Sequence, residues 1–278
     1  MLTIIIVSYN SATVVEDCLG RLLTKTAHRV LLVENGADEA NLARLAVRFP
    51  AIEIMKMHSN LGYGRAANAG LEKVGTPYAL LINPDLKMDE AQVDEMLAFA
   101  QRQPDDVVIT APAVTQQHFT QKGAVEQDWV VGAAMMFRMS LMSRLGGFDP
   151  NIFLFFEETE LCARARKAGM HIKMNTDCYV EHQVGRSTPA SESVERLKHW
   201  HFGWSLMYFE SVHGSMVKAV FFDLIPAALK SILYRLSSGK KSKKYYFRFS
   251  GMLSFLMNKG SFDGKGLPKC EHIASIKM

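Results

Sequence analysis

Leu2-Thr3-Ile4-Ile5-Ile6-Val7, followed at once by Ser8-Tyr9-Asn10, is the stretch on which the fold turns. The run is β-branched from Thr3 to Val7 and shows no polar alternation, so it reads as a strand buried on both faces. The polar tripeptide is its carboxyl end. Working outward, Val14, Val15, Cys18, Leu19, Leu22 and Leu23 recur at helical spacing across Ser11–Thr24. Val30–Val33, Ile52–Met57, Tyr78–Ile82 and Val107–Thr110 read as further strands. Asn41–Phe49, Gly64–Val74 and Met88–Arg102 read as helices between them. Strict strand–helix alternation predicts an α/β fold, a mostly parallel sheet with helices on both faces.

Beyond residue 111 the alternation loosens. Trp129–Phe137 reads as a strand carrying Gly132, and Gly146-Gly147-Phe148-Asp149-Pro150 as a turn. Glu157–Ala168 is a helix closed by Gly169, and His171–Asn175 and Tyr179–His182 are short strands. The 278 residues are 48% hydrophobic and 22% charged, which excludes collagen, coiled coil and disorder. Cys18, Cys162, Cys178 and Cys270 lie far apart with no CxxC pair, which argues against a zinc ribbon or disulfide scaffold. Neither a basic, apolar leader nor a spanning run of about 18 apolar residues is present, so a reducing cytosolic setting is expected.

The net charge of +4 hides an asymmetry. Residues 1–194 hold 18 Lys and Arg against 23 Asp and Glu; residues 195–278 hold 14 against 5. The expected division is therefore 1–195 and 196–278. Apolar residues at helical spacing over Met216–Leu236 are followed by Lys240, Lys241, Lys243, Lys244 and Arg248, with Tyr245, Tyr246 and Phe247 among them. An amphipathic element beside a basic-aromatic patch suits an anionic membrane surface, or else a helical subdomain; no nucleic-acid motif accompanies it. His199, Trp200 and His201 read as a core or interfacial cluster.

In an open α/β sheet, ligands sit beyond the carboxyl ends of the strands. Those ends carry Ser8-Tyr9-Asn10, Glu34-Asn35-Gly36, Ser59-Asn60-Leu61-Gly62 and Asn83-Pro84-Asp85. Turn and cap chemistry favours such residues anyway. Gly62-Tyr63-Gly64-Arg65-Ala66-Ala67 matches a dinucleotide fingerprint, with Asp85 at about the ribose-binding separation. That rival puts the fingerprint after the third strand instead of the first, and leaves the acids at 157–160 without a role. Glu157, Glu158 and Glu160 crowd a helix start behind Phe155 and Phe156. Acids suit a first helical turn, and Glu160 has Arg164 at i+4 as a surface partner. Glu158 has only Cys162 there. A carboxylate beside aromatics and other acids has a raised pKa, which suits a general base. His182 becomes a metal ligand only if a second ligand converges on it.

Taken together, Ile-Val-Ser-Tyr-Asn (6–10), Val-Glu-Asn-Gly (33–36), Asn-Leu-Gly-Tyr-Gly-Arg-Ala-Ala-Asn (60–68) and Leu-Ile-Asn-Pro-Asp (81–85) resemble the successive motifs of inverting family 2 glycosyltransferases of the GT-A, Rossmann-like fold. Trp129, Gly132-Ala133, Gly146-Gly147-Phe148-Asp149, Phe156-Glu157-Glu158 and Glu181-His182 continue the series over about residues 3–188. The likeness is greatest to bacterial rhamnosyltransferases of O-antigen and related polysaccharide synthesis. It implies transfer of a sugar, L-rhamnose from dTDP-rhamnose, from a dTDP or UDP donor to a lipid-linked saccharide. It places the protein in the cytoplasm, on the inner face of the cell membrane. Ser8, Asn10 and Glu34 would line the base and ribose pocket, and Asn60, Arg65 and Asn68 would hold the nucleotide. Asp85, with His182, would hold Mg²⁺ or Mn²⁺ on the pyrophosphate. Trp129, Gly132 and Ala133 would lie near the transferred sugar and acceptor. Glu158, with Glu157 beside it, would be the catalytic base. Asn83 stands where a strict DxD has its first Asp, and Glu34, Glu158 and Glu160 stand where Asp is commoner. Loss of turnover with retained nucleotide binding is the alternative outcome.

Overall fold

The computed structural model describes residues 1–114, 121–187, 191–235 and 237–270. Contacts divide the chain into two compact units, Met1–Asp149 with Leu161–Pro189, and Pro150–Glu160 with Ala190–Met278. The expected division at residue 195 thus moves a few residues earlier, and the segment Pro150–Glu160 joins the second unit.

The first unit opens with β1 (Leu2–Ser8), α1 (Ala12–Lys25), β2 (Arg29–Glu34), α2 (Glu39–Arg48), β3 (Ile52–Lys56), α3 (Tyr63–Leu71) and β4 (Tyr78–Ile82). It continues through β5 (Leu86–Lys87), α4 (Glu90–Gln101), β6 (Val107–Val114), β7 (Ala124–Glu126), β8 (Ala134–Arg138), α5 (Met139–Leu145), α6 (Glu157–Lys167) and β9 (His171–His182). All seven residues of β1 are buried. Successive strand side chains point to opposite faces, and the core divides accordingly. Ile4 and Ile6 pack with Leu19, Leu22 and Leu42 from α1 and α2, whereas Ile5 and Val7 pack with Ala66, Ala67 and Leu71 from α3. Burial on both faces is what the unbroken apolar run demanded.

The sheet order is β3-β2-β1-β4-β8-β6-β9-β5, with β7 paired to β9. The block β3-β2-β1-β4 is parallel, as is β6 with β9, while β8 runs antiparallel between β4 and β6. Three expectations need correction. Trp129 precedes the strand that begins at Ala134, because Gly132-Ala133 turns the chain and the Ala133 carbonyl accepts Asn83 N–H (2.9 Å). The two short strands expected after His171 are one strand, β9. The polar residues between them are a bulge, the register jumping from Pro112↔Asn175 to Ala113↔Tyr179. The helix expected from Met88 begins at Glu90, since Asp89 and Gln92 form a capping box. Two residues ahead of it form the unanticipated β5.

The second unit holds α7 (Glu192–His213), α8 (Met216–Ala219), a π-helical turn (Val220–Leu224), α9 (Ile225–Leu233) and α10 (Gly239–Leu256). Leu236, the end of the expected amphipathic segment, lies outside the described residues. Helices α7 and α10 cross where each is a glycine: a Cβ on Gly203 would collide with the Arg248 carbonyl, and one on Gly251 with that of Trp200. Met207, Ala219, Ala227 and Met252 form this unit's core. Of the expected core or interfacial cluster, Trp200 and His201 are fully buried and His199 is partly exposed.

Candidate active site

In the first unit, β1 and β2 deliver Ser8 and Glu34 side by side in register. Glu34 is fully buried. Its Oε1 accepts the Asn10 N–H (2.9 Å) and the Gly36 N–H (2.8 Å), while Oε2 has no hydrogen-bond partner among the described residues. A buried carboxylate oxygen left open is costly and uncommon in a native fold. Any Cβ at Gly36 would strike the Asn10 and Glu34 side chains, so the glycine lets the backbone close over the carboxylate. Asn10 sits at φ 52°, a left-handed conformation asparagine tolerates, and its Oδ1 accepts Ala37 N–H. Ser8 Oγ pairs with Ser11 Oγ at 3.0 Å.

The third strand end is held by Asn35, which the sequence marked only as part of a strand end. Its amide donates to Asn60 Oδ1 (3.0 Å) and the Gly62 carbonyl (3.1 Å), and its Oδ1 accepts Leu61 N–H (2.9 Å). Gly62 takes φ 85° and α3 starts at the next residue. Gly62 therefore serves a tight turn, and Gly64 lies buried in α3. Arg65 follows in the first turn, its guanidinium pKa lowered by burial. Asn68 is committed to protein: it donates to the Phe148 carbonyl and accepts the Phe148 N–H, both at 2.8 Å.

Asp85 lies just past β4 and is 1% exposed. Backbone pairing brings His182 to it: β5 and β9 run antiparallel with Leu86 opposite His182, and the Asp85 carbonyl accepts Gln183 N–H. His182 Nε2 stands 3.3 Å from Asp85 Oδ1, and Asp85 Oδ2 accepts the Ser187 N–H at 3.1 Å. Burial pushes the Asp85 carboxyl up, but the His182 contact, its charge and the Ser187 N–H outweigh it, so its pKa is lowered. An acidic side chain has thus converged on His182, from a residue 97 positions earlier. No group of three or more metal-type side chains occurs among the described residues. Near Asn83, the Gly132 carbonyl meets the Tyr63 hydroxyl at 3.4 Å, Ala133 is buried, and Trp129 is 41% exposed.

The acidic helix start belongs to the second unit. Phe155 and Phe156 both have left-handed φ (66° and 70°) immediately before Glu157. Consecutive non-glycine residues there store strain that only surrounding packing can hold. Both rings pack on Phe202, and Phe156 also on Phe209. Glu157 is buried, and burial reinforced by the Glu158 charge raises its pKa to about 8. Glu158 is partly exposed. Glu160, expected on the helix surface, is instead 2% exposed and meets His213 Nε2 at 3.2 Å. His213 came from α7 and carried no signal of this role in the sequence. Arg164 donates to the carbonyls of Leu145 and Gly147.

Ser8, Glu34 and Asp85 thus stand at or just past the ends of β1, β2 and β4, and the wider sequence defines the family. The chain belongs to Glycosyl transferase family 2, whose sequence pattern matches residues 3–168. It is a glycosyltransferase, and the dinucleotide alternative falls away. That span contains every anticipated site residue except His182. The chain is 24% identical over 251 residues to the N-acetylglucosaminyl-diphospho-decaprenol L-rhamnosyltransferase of Mycobacterium tuberculosis, covering 71% of this chain and 82% of that one. Its fold resembles the mannosyltransferase PcManGT from Pyrobaculum calidifontis, solved with GDP-Man and Mn²⁺ (TM-score 0.58, 14% identity, 93% and 87% of the two chains). It also resembles TarS 1-349 from S. aureus, solved with UDP-GlcNAc (TM-score 0.55, 14% identity, 93% and 92%).

Proposed function

We propose that the protein transfers a sugar, L-rhamnose from a dTDP donor, to a hydroxyl of a lipid-linked saccharide with inversion at the anomeric carbon. The observation that carries this is the Asp85–His182 pair at the end of β4, beside strand ends that offer Ser8, Asn10 and Glu34. The open Glu34 Oε2 is an acceptor ready for a hydroxyl or ring N–H of the nucleoside. The rhamnosyltransferase relative supports the choice of sugar and of lipid-linked acceptor.

Asp85 and His182 fit a divalent ion: Asp85 Oδ1 is buried, and His182 Nε2 adjoins it at 3.3 Å. When bound, Mg²⁺ or Mn²⁺ supplies neutralisation of the charge that grows on the departing diphosphate. Arg65, in the first turn of α3, adds fixed positive charge on the nucleotide side. Asn60 keeps the turn before that helix in shape, and Asn68 anchors the Gly147-Phe148 turn. Trp129, Gly132 and Ala133 would lie near the transferred sugar and acceptor.

Single displacement needs one carboxylate to take the proton from the acceptor hydroxyl. Glu158 is that base. Glu157, with a pKa of about 8, is largely protonated at neutral pH, and Glu160 is occupied by His213. A protonated Glu157 also relieves the repulsion that a buried anion there would suffer from the adjacent Glu158.

The test is a transfer assay with dTDP-L-rhamnose and a lipid-linked N-acetylglucosamine diphosphate, the product anomer being read by NMR. The expected product has the anomeric configuration opposite to the donor's. A retained configuration would overturn single displacement. Nucleotide binding without transfer or donor hydrolysis would identify an inactive binding module.

A further inference from the structure

In the second unit, Met216–Leu233 runs as one helical rod through α8, the π-helical turn and α9. Pro226 explains the turn: lacking an N–H, it cannot bond the Phe222 carbonyl, and just before it Ile225 N–H reaches five residues back to Val220. One face of the rod packs inward through Ala219, Val220, Leu224 and Ala227. The opposite face is bare. Val217, Phe221, Phe222, Leu229, Ile232 and Leu233 are 55–76% exposed, and Ile225, between them, 41%. They occur on both sides of the π-helical turn, in α8, in the turn itself and in α9. Scattered exposed apolar residues need no explanation, but a contiguous stripe of this size does.

A second observation fixes the sign of what covers it. Tyr234 and Tyr245 stack with ring centroids 5.5 Å apart, at the C-terminal end of the rod and in α10. Three ammonium groups lie over these rings: Lys241 over Tyr234 (5.5 Å), and Lys230 (5.3 Å) and Lys244 (5.8 Å) over Tyr245. Exposed Arg235, Lys240 and Lys243 lie nearby in the sequence. Lys218, at the other end, is also exposed. An apolar stripe flanked by cations and tyrosines matches the depth profile of a lipid interface, acyl chains beneath and phosphate headgroups above. No described helix is long and apolar enough to cross a membrane.

We propose that the face Val217–Leu233 lies in the plane of an anionic bilayer, its apolar side chains among the acyl chains and the lysine–tyrosine cluster at the headgroups. The proposal stands on the second unit's own geometry, and is independent of which sugar the enzyme transfers.

The experiment is co-sedimentation of the full chain with vesicles of phosphatidylcholine alone, or with about one third phosphatidylglycerol. Wild type is expected to pellet with the anionic vesicles, less at 0.5 M salt than at 0.1 M. Phe221→Ser/Phe222→Ser/Leu229→Ser is expected to lose about tenfold or more in partitioning. Its thermal midpoint should not fall, because these side chains are already in water. Lys230→Gln/Lys241→Gln/Lys244→Gln is expected to erase the preference for anionic lipid. Unchanged pelleting of the serine variant, or equal pelleting on both vesicle types, would overturn the proposal. So would a wild-type dimer in sedimentation velocity that the serine variant abolishes without any vesicle binding, since the face would then meet a second copy. Transfer to a short-chain, water-soluble acceptor is read in parallel. Its loss in all variants and wild type would strike the sugar-transfer reading and leave the lipid result intact.

Discussion

Two buried carboxylates behave in opposite ways. Asp85 in the first unit is 1% exposed and Glu157 in the second is 4% exposed. Burial raises both. At Asp85 it is overcome by His182 and the Ser187 N–H, and the acid stays charged. At Glu157 it is reinforced by Glu158, and the acid carries a proton at neutral pH. Burial therefore does not decide a carboxylate's role; its neighbours do. The contrast extends to the whole of each unit. The first unit fixes its polar groups through backbone N–H and C=O at strand ends, as with Glu34, Asn35 and Asn68. The second unit fixes its groups through packing, with strained Phe155 and Phe156 wedged on Phe202 and Phe209.

The largest effect expected falls on the second unit. Glu158→Gln should bind donor normally and lose transfer by roughly two to four orders of magnitude, while Glu160→Gln costs far less turnover. Glu160→Gln should show its effect as lower stability, because it weakens a buried contact with His213. Near-normal transfer by Glu158→Gln would move the base role to Glu157 and break the assignment of charged and neutral acids.

In the first unit, Asp85→Ala should abolish the metal-dependent part of the thermal stabilisation given by dTDP or UDP. With ligand at about a hundred times its Kd, the wild-type gain is about 2.7 kcal/mol. A metal-dependent shift that survives in Asp85→Ala would remove this residue from the ion's ligands. Differential scanning fluorimetry with and without Mn²⁺ distinguishes the two.

Asn68→Ala sharpens the comparison at smaller scale. Its amide closes on both backbone groups of Phe148, so removal should cost about 1–3 kcal/mol in stability. Donor affinity should fall only as far as the Gly147 turn loosens. A large loss of affinity at unchanged stability would instead make Asn68 a direct nucleotide contact.

This difference also explains what could be read in advance. Unbroken apolar runs such as Leu2–Val7 signal buried parallel strands by themselves, so the first half of the fold was legible. Residues at strand ends were legible as a group for the same reason, since strand order places them on one rim. Pairing across long separations was not. Nothing local to Asp85 or His182 announces the two-residue β5 that aligns them, and the polar residues after Asn175 looked like the end of a strand. The i+4 spacing to Arg164 marks Glu160 as a surface acid because it sees only its own helix. Its partner His213 arrives from another element 53 residues later. The exposed stripe on Met216–Leu233 was visible as periodicity, but its sequence could not say which side was inward.

The smallest effect, per pH unit, compares two groups within the second unit. Glu157 has a raised pKa, from 4.5 to about 8, so its contribution is complete below pH 4.5 and is lost as pH rises through 8. His201 is fully buried, and burial lowers its pKa from 6.5 to about 3, opposed only by the Lys269 backbone. Its contribution is complete above pH 6.5 and is lost as pH falls through 3. Between pH 4.5 and 6.5 the folded form holds one more proton at Glu157 and one fewer at His201 than the unfolded chain does. The two slopes therefore cancel there, each being at most about 1.4 kcal/mol per pH unit. Stability should be flat across that window and decline on both sides. Urea titrations from pH 3 to 9 check this: Glu157→Gln should remove the alkaline decline and tilt the window upward with pH, and His201→Leu should remove the acid decline and tilt it downward. If Glu157→Gln kept the wild-type alkaline decline, the protonated acid would not be Glu157, and Glu157 would return as a candidate for the base.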